Sequence, residues 1–210
     1  MADIRPFRGV LYNSGKVGEL KSVMAPPYDV IPPAKQDELY ERHPHNVIRL
    51  ILGKINPDDT DSNNRYTRAA AEFTAWMGSG VLVKDQSPAI YYYMQSFNLP
   101  SGAVQTRKGF IALSKIEEFG KGVRPHEKTL SGPKADRLKL MQACKSNLSC
   151  IFSLYSSPTL EINKVLDAAT DGHDPIIDVT DDDGIVNMMR KTESARPRPI
   201  DRHRVRPSGP

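Results

Sequence analysis

A chain of 210 residues with 39% hydrophobic content can bury one large core or two small ones. Its formal charge of +4 sits at one end. Arg190 to Pro210 holds seven Lys or Arg against two acidic residues, so the body is nearly neutral and does not read as a polyanion-binding surface. Cys144 and Cys150 lack a CxxC partner or a His at ligand spacing, which excludes a disulfide framework or zinc site and predicts buried thiols in a reducing compartment. With no long apolar run, the chain is expected to be soluble and cytoplasmic, without a membrane partner.

In chain order, "IRPFRGVLYN" predicts a short strand followed by a turn at Asn13-Ser14-Gly15. "MAPPYDVIPP" cannot be a helix interior, because its two proline pairs remove donors and fix φ. It reads as a stiff, extended loop presenting Tyr28 and Asp29. Pro33 then opens a helix over "PAKQDELYER" that ends before Pro44. The apolar run "NVIRLILG" predicts a buried strand. After the polar stretch from Gly53 to Arg65, the spacing of Tyr66, Ala69, Ala70, Phe73, Trp76 and Met77 predicts a helix with Trp76 in the core. Ser62 can cap it and Gly78 or Gly80 can end it.

"AIYYYMQSFNL" and "TRKGFIALSKIEEF" flank a Pro-Ser-Gly turn and predict an antiparallel hairpin. Further on, "SCIFSLYS" predicts a strand, "SPTLEINKVLDAA" a helix, and "PIIDVTDDDG" a strand entering a tight turn with "IVN" returning from it. Strands and helices without βαβ alternation predict an α+β fold, a mixed or antiparallel sheet with flanking helices. Residues 1–187 are expected to form the domain. Residues 188–210, rich in Arg and Pro and without apolar periodicity, are expected to be a disordered basic tail, read most sharply as a non-native frame.

The chemistry concentrates in "RPHEKTLSGPKADRLKLM", Arg124 to Met141. The chain has no P-loop, no GxGxxG, no HExxH and no GxSxG. Instead, Pro133 is placed to start a helix capped by Gly132 or Ser131, burying Leu138, Met141 and Cys144-Lys145, with Leu140 and Leu148 at its edges. The positive end of that helix attracts anions. Lys128, Thr129, Ser131, Lys134 and Arg137 cluster around it, and Gly132 lets a ligand approach the backbone. Plain capping, with Asp136 and Arg137 in an exposed first turn, explains the same residues.

His126 and Glu127 would make a geometrically possible catalytic pair, but adjacent residues on an extended segment point in opposite directions, so one of the two rather than both is expected to be functional. Asp29 is preorganised by its prolines as a base or metal ligand, or else bonds nearby amides. His43 and His45 read as structural. Asp58 to Asp61 lacks the pattern of a calcium loop and reads as a solvated turn, so no metal site is expected.

"RPFRGVLYN", "VMAPPYDVI", "HPHNVIRL" and "RPHEKTLSGPKADRLKLMQACKSNLSCIFSLY" resemble, in order and spacing, domain-of-unknown-function family 1015 over about Ile4 to Gly184. That family is similar, more distantly, to the ParB/sulfiredoxin-like superfamily with its free-serine kinases. The resemblance implies an ATP- and Mg²⁺-dependent small-molecule kinase, with L-serine the candidate substrate and O-phosphoserine the product. It implies that Lys128, Thr129, Ser131, Gly132, Lys134 and Arg137 bind phosphate. It implies Glu127 or Asp29 as base or Mg²⁺ ligand and His126 in support.

Family members are longer and carry an Asp-Gly-His-His-Arg-type motif downstream, for which "DGHD" at Asp171 is no substitute. The chain is therefore expected to be a truncated member, inactive by itself. The alternative is a non-enzymatic nucleotide- or partner-binding module. Nucleic-acid binding through the tail is the weakest reading and predicts salt-sensitive association.

Overall fold

The computed structural model describes residues 3–118, 120, 123–124 and 130–193. The fold is α+β. In order, the elements are β1 (Ile4–Arg5), β2 (Val10–Tyr12), α1 (Ser14–Val17), α2 (Leu20–Val23), a 3-10 turn (Tyr28–Val30), α3 (Pro33–Arg42), α4 (Ile48–Ile51) and α5 (Arg65–Ser79). They continue with β3 (Leu82–Lys84), β4 (Ile90–Asn98), β5 (Val104–Ile111), β6 (Leu113–Ser114), α6 (Ser131–Cys144), α7 (Glu161–Thr170), β7 (Ile177–Thr180) and β8 (Val186–Thr192).

The main sheet is antiparallel in the order β5-β4-β8-β7, and β1 with β6 and β2 with β3 make two small ribbons. The hairpin β4–β5 pairs Tyr91 with Ile111 through Asn98 with Val104, as the Pro-Ser-Gly turn predicts. On one face of the sheet Tyr91 and Met189 pack with Ala89, against Phe7 and Leu11. The other face meets α7, where the Tyr92 hydroxyl donates to Asp167 at 2.9 Å. The helical half is organised around Trp76, which packs with Val17, Val23, Leu50, Ile51, Val81 and Leu82.

Local chemistry explains the elements that match expectation. Pro33 stands at the first position of α3, where no N–H is needed. Two residues beyond the expected Ser62, Asn64 caps α5 through a reciprocal capping box with Thr67, and Gly80 ends the helix in a left-handed conformation. Asp181 closes the β7–β8 turn by accepting from the amides of Asp183 and Ile185.

Other expectations are corrected. "IRPFRGVLYN" divides at Pro6-Phe7 into two strands belonging to different ribbons, with Phe7 bridging to Ala89. "NVIRLILG" is not a strand but holds the single-turn helix α4. Asn46 is fully buried there; its Oδ1 accepts from the Ile48 amide, while its Nδ2 donates to the carbonyls of Ser22 and Met24. That side chain turns the backbone, and a short, largely apolar run cannot be told from a strand by periodicity alone.

Residues 150–157 form no strand, because no ladder partner lies beside them among the described residues. Cys150 is exposed with them, whereas Cys144 is buried. In α6 the buried positions are Leu140 and Cys144, packed on Ala69, whereas Leu138 and Met141 are half exposed. The inward stripe is shifted because Arg137 and the neighbouring Asp136 turn toward the protein.

The expected boundary at 188 cuts through β8, which runs from Val186 to Thr192 as an interior strand between β4 and β7. The charge at Lys191 misled the compositional reading because it has a partner inside the fold. Lys191 Nζ donates to Asp85 at 2.8 Å, and the same carboxylate accepts from the Tyr91 hydroxyl, which in turn accepts from the Gly9 amide at 2.7 Å. Residues 194–210, the rest of the expected tail, lie outside the described residues.

Candidate functional site

The candidate residues come from two segments, and the structure brings those segments together. The proline-flanked loop turns at Tyr28–Val30, and the Arg137 guanidinium of α6 lies over the Tyr28 ring at 3.8 Å from its centroid. A cation seated this closely on a partly desolvated ring is worth about 1–2 kcal/mol. Arg137 also donates from Nη2 to the Ile51 carbonyl at 2.9 Å and from Nε to its neighbour Asp136 at 2.9 Å. One side chain thus ties the Tyr28 loop, the end of α4 and the first turns of α6.

Asp136 completes the knot. It accepts from the Tyr66 hydroxyl at 2.7 Å and pairs with Arg65, both at the start of α5. Its side chain is only 17% exposed. Burial pushes the Asp136 carboxyl up, but the Tyr66 hydroxyl and the Arg137 and Arg65 guanidinium groups outweigh it and hold the pKa below the usual range. Burial and the same carboxylate raise the Tyr66 phenol. Asp136 and Arg137 are therefore not the exposed first-turn pair that capping alone predicts. Arg137 Nη1 is buried and without a partner among the described residues. It borders a cavity of about 10 Å³ between Leu50–Gly53, Arg65, Tyr66 and Leu140, room for a single water and nothing larger.

Outside this knot the surface is open. Ser131, Gly132 and Lys134 are exposed at the start of α6, and a Cβ on Gly132 would meet nothing within 4 Å. Leu130 occupies the cap position and has no oxygen to offer the first amides. The helix therefore begins at Ser131, with Pro133 inside its first turn rather than opening it. Asp29 is exposed one residue from the stacked Tyr28 and makes no hydrogen bond or ion pair among the described residues, so it does not serve to tie the loop. His126, Glu127, Lys128 and Thr129 lie outside the described residues.

The remaining candidates are structural. His45 meets Trp76 edge-on at 5.4 Å, and its carbonyl accepts from Tyr12. Asp59 in the acidic turn pairs with Arg68 of α5. Among the described residues no group of three His, Cys, Asp or Glu converges as a metal site would require.

Sequence reasoning missed Tyr28, Arg65 and Tyr66 as parts of the site. The available signal was Tyr66 itself: a tyrosine on the buried stripe of a helix needs a partner for its hydroxyl.

A sequence profile for proteins of unknown function, DUF1015, matches residues 4–200, and the chain belongs to that family. The match covers all of β8 and continues beyond it. No curated protein and no solved structure matches the chain. No helix among the described residues is long and apolar enough to cross a membrane.

Proposed function

We propose that the chain binds the phosphates of a nucleotide at the open start of α6, as a small-molecule kinase of the free-serine-kinase type does. ATP is the phosphate donor in this reading and L-serine the candidate acceptor, giving O-phosphoserine. The observation that carries it is the Tyr28–Arg137 stack, which sets the Asp29 loop beside the helix that bears Ser131, Gly132 and Lys134. Helix amides without a side-chain cap and an exposed lysine suit a phosphate. A nearby carboxylate suits either the acceptor hydroxyl or Mg²⁺, which takes one or two carboxylates together with substrate phosphates. Asp29 fits that need, and Glu127 is the second candidate. Arg137 serves this reading as a positioning residue, because its guanidinium is held by Tyr28, Asp136 and the Ile51 carbonyl.

The inward commitment of Arg137 favours a second reading, in which the chain is a nucleotide-binding module without turnover. One experiment separates them. Mg²⁺-ATP is expected to raise the thermal midpoint, and Lys134→Ala is expected to weaken that shift without lowering the midpoint of the free protein. Phosphorus NMR with ATP, Mg²⁺ and L-serine then reads turnover. O-phosphoserine identifies the kinase, and binding without product identifies the module. A thermal midpoint indifferent to ATP sinks both.

A further inference from the structure

Three cations converge on one carboxylate where the sheet meets the helical half. Arg42 donates to Asp182 Oδ2 at 2.6 Å, Lys35 Nζ donates to the same oxygen at 3.2 Å, and Lys21 Nζ stands 3.5 Å from Oδ1. Lys21 comes from α2, Lys35 and Arg42 from α3, and Asp182 from the β7–β8 turn. All four side chains are partly exposed, so each pair alone holds weakly.

The cations are assembled without help from Asp182. Glu38 Oε1 accepts from Lys35 at 2.8 Å and from Arg42 at 2.5 Å, one helical turn to either side, so α3 alone sets these two side by side. The turn does not need Asp182 either. Asp181 closes it, accepting from the amides of Asp183 and Ile185 and from the Asn187 side chain. Two carboxylates, Asp182 and Glu38, answer three cations, which leaves one positive charge over.

We infer that Lys21, Lys35 and Arg42 form a binding site for a dianionic phosphate, free or as the monoester of a small molecule, and that Asp182 occupies this site from within the chain. A carboxylate brings two oxygens and a single charge, whereas a phosphate brings more oxygens and two charges. In the place of Asp182 it neutralises the cluster, and the Arg42 guanidinium can meet it with two parallel hydrogen bonds. Phosphate and Asp182 exclude each other, so arrival of the phosphate unlatches the β7–β8 turn from α2 and α3. The site lies on other elements than the start of α6, and the inference is independent of the nucleotide reading.

Titration calorimetry of the full chain at pH 8 and constant ionic strength tests it, with inorganic phosphate and methyl phosphate as the probes. Asp182→Ala is expected to bind at least one of them about tenfold more tightly than the unaltered chain, because a competing charge within contact distance is gone. Adding Lys35→Ala or Arg42→Ala is expected to abolish that gain with an unchanged circular dichroism spectrum, and adding Lys134→Ala to leave it intact. A preference for methyl phosphate identifies a monoester, and a preference for inorganic phosphate the free ion. Asp182→Ala that binds neither probe overturns the inference. So does equal affinity with and without Asp182, which denies that this side chain is the occupant. A gain that survives the loss of Lys35 and of Arg42 places the anion elsewhere and overturns it too.

Discussion

Gly9 shows how tightly one position can be specified without any signal in its neighbours. A Cβ built there would lie 2.6 Å from the Tyr91 hydroxyl and 2.7 Å from its ring carbon, closer than real contacts. The same hydroxyl accepts from the Gly9 amide and donates to Asp85, which also holds Lys191. Burial and then Asp85 push the Tyr91 phenol up to about 12, so the donor stays protonated at any ordinary pH. Gly9→Ala should therefore cost about 1–3 kcal/mol, because Tyr91 is buried and cannot swing aside. Urea unfolding checks this, and an unchanged midpoint would show that the tyrosine moves freely. Arg137 teaches the complementary lesson. Its residue type suggested phosphate, yet its surroundings direct it to an aromatic ring, a neighbouring carboxylate and a carbonyl. Those partners are distant in sequence or hidden by adjacency, so the spacing of charges alone could not rank the two roles.

Elements whose signals are local were legible: α3 from its proline, α5 from its stripe and terminal glycine, the β4–β5 hairpin from its turn, and β7 from the Asp-rich turn that follows it. Elements defined by remote partners were not. The buried Asn46 reshapes α4 through carbonyls of residues 22 and 24, and the inward face of α6 depends on Arg65 and Tyr66. The candidate site was legible as a pair of segments, whereas the stack that joins them was not.

The β7–β8 turn is fastened to the helical half in the same non-local way. Arg42 donates to Asp182 at 2.6 Å, and Lys35 and Lys21 stand at 3.2 and 3.5 Å. The hydrogen bond from Arg42 lowers the Asp182 pKa to about 2; burial opposes it, and the hydrogen bond from Lys35 and the charges of both cations add to the lowering. A depressed carboxylate stabilises the fold above its unfolded pKa near 4, and the contribution is lost as pH falls through about 2. Asp182 is 38% exposed, so the effect at neutral pH is below about 1 kcal/mol. Asp182→Asn should lower the midpoint slightly at pH 7 and by only a small remainder of that at pH 2, where the folded-state carboxyl is about half protonated. A variant that differs equally at both values would place the effect in the turn backbone instead.

At the scale of the molecule, β8 decides where the domain can be cut. Removing residues 194–210 should leave the thermal midpoint within a few degrees of the full chain. Removing everything from Met188 takes away most of the strand between β4 and β7 and should abolish cooperative unfolding, read by calorimetry. A cooperative transition in the shorter chain would mean that the helical half folds without the sheet. The pairing of Ile90 with Thr192 has a further consequence, for the order of events during synthesis. The helices around Trp76 draw on contacts within the first 82 residues and one at Leu148, and can condense while the chain is still being made. The sheet must wait. Until Val186–Thr192 has emerged, the β4–β5 hairpin has a bare edge and Tyr91 lacks Met189 beside it. For the time needed to add about a hundred residues, roughly 5–20 s at ordinary rates of synthesis, a tyrosine-rich strand is open to wrong partners. The rate at which the ribosome reaches β8 therefore sets the exposure of this protein to misassembly.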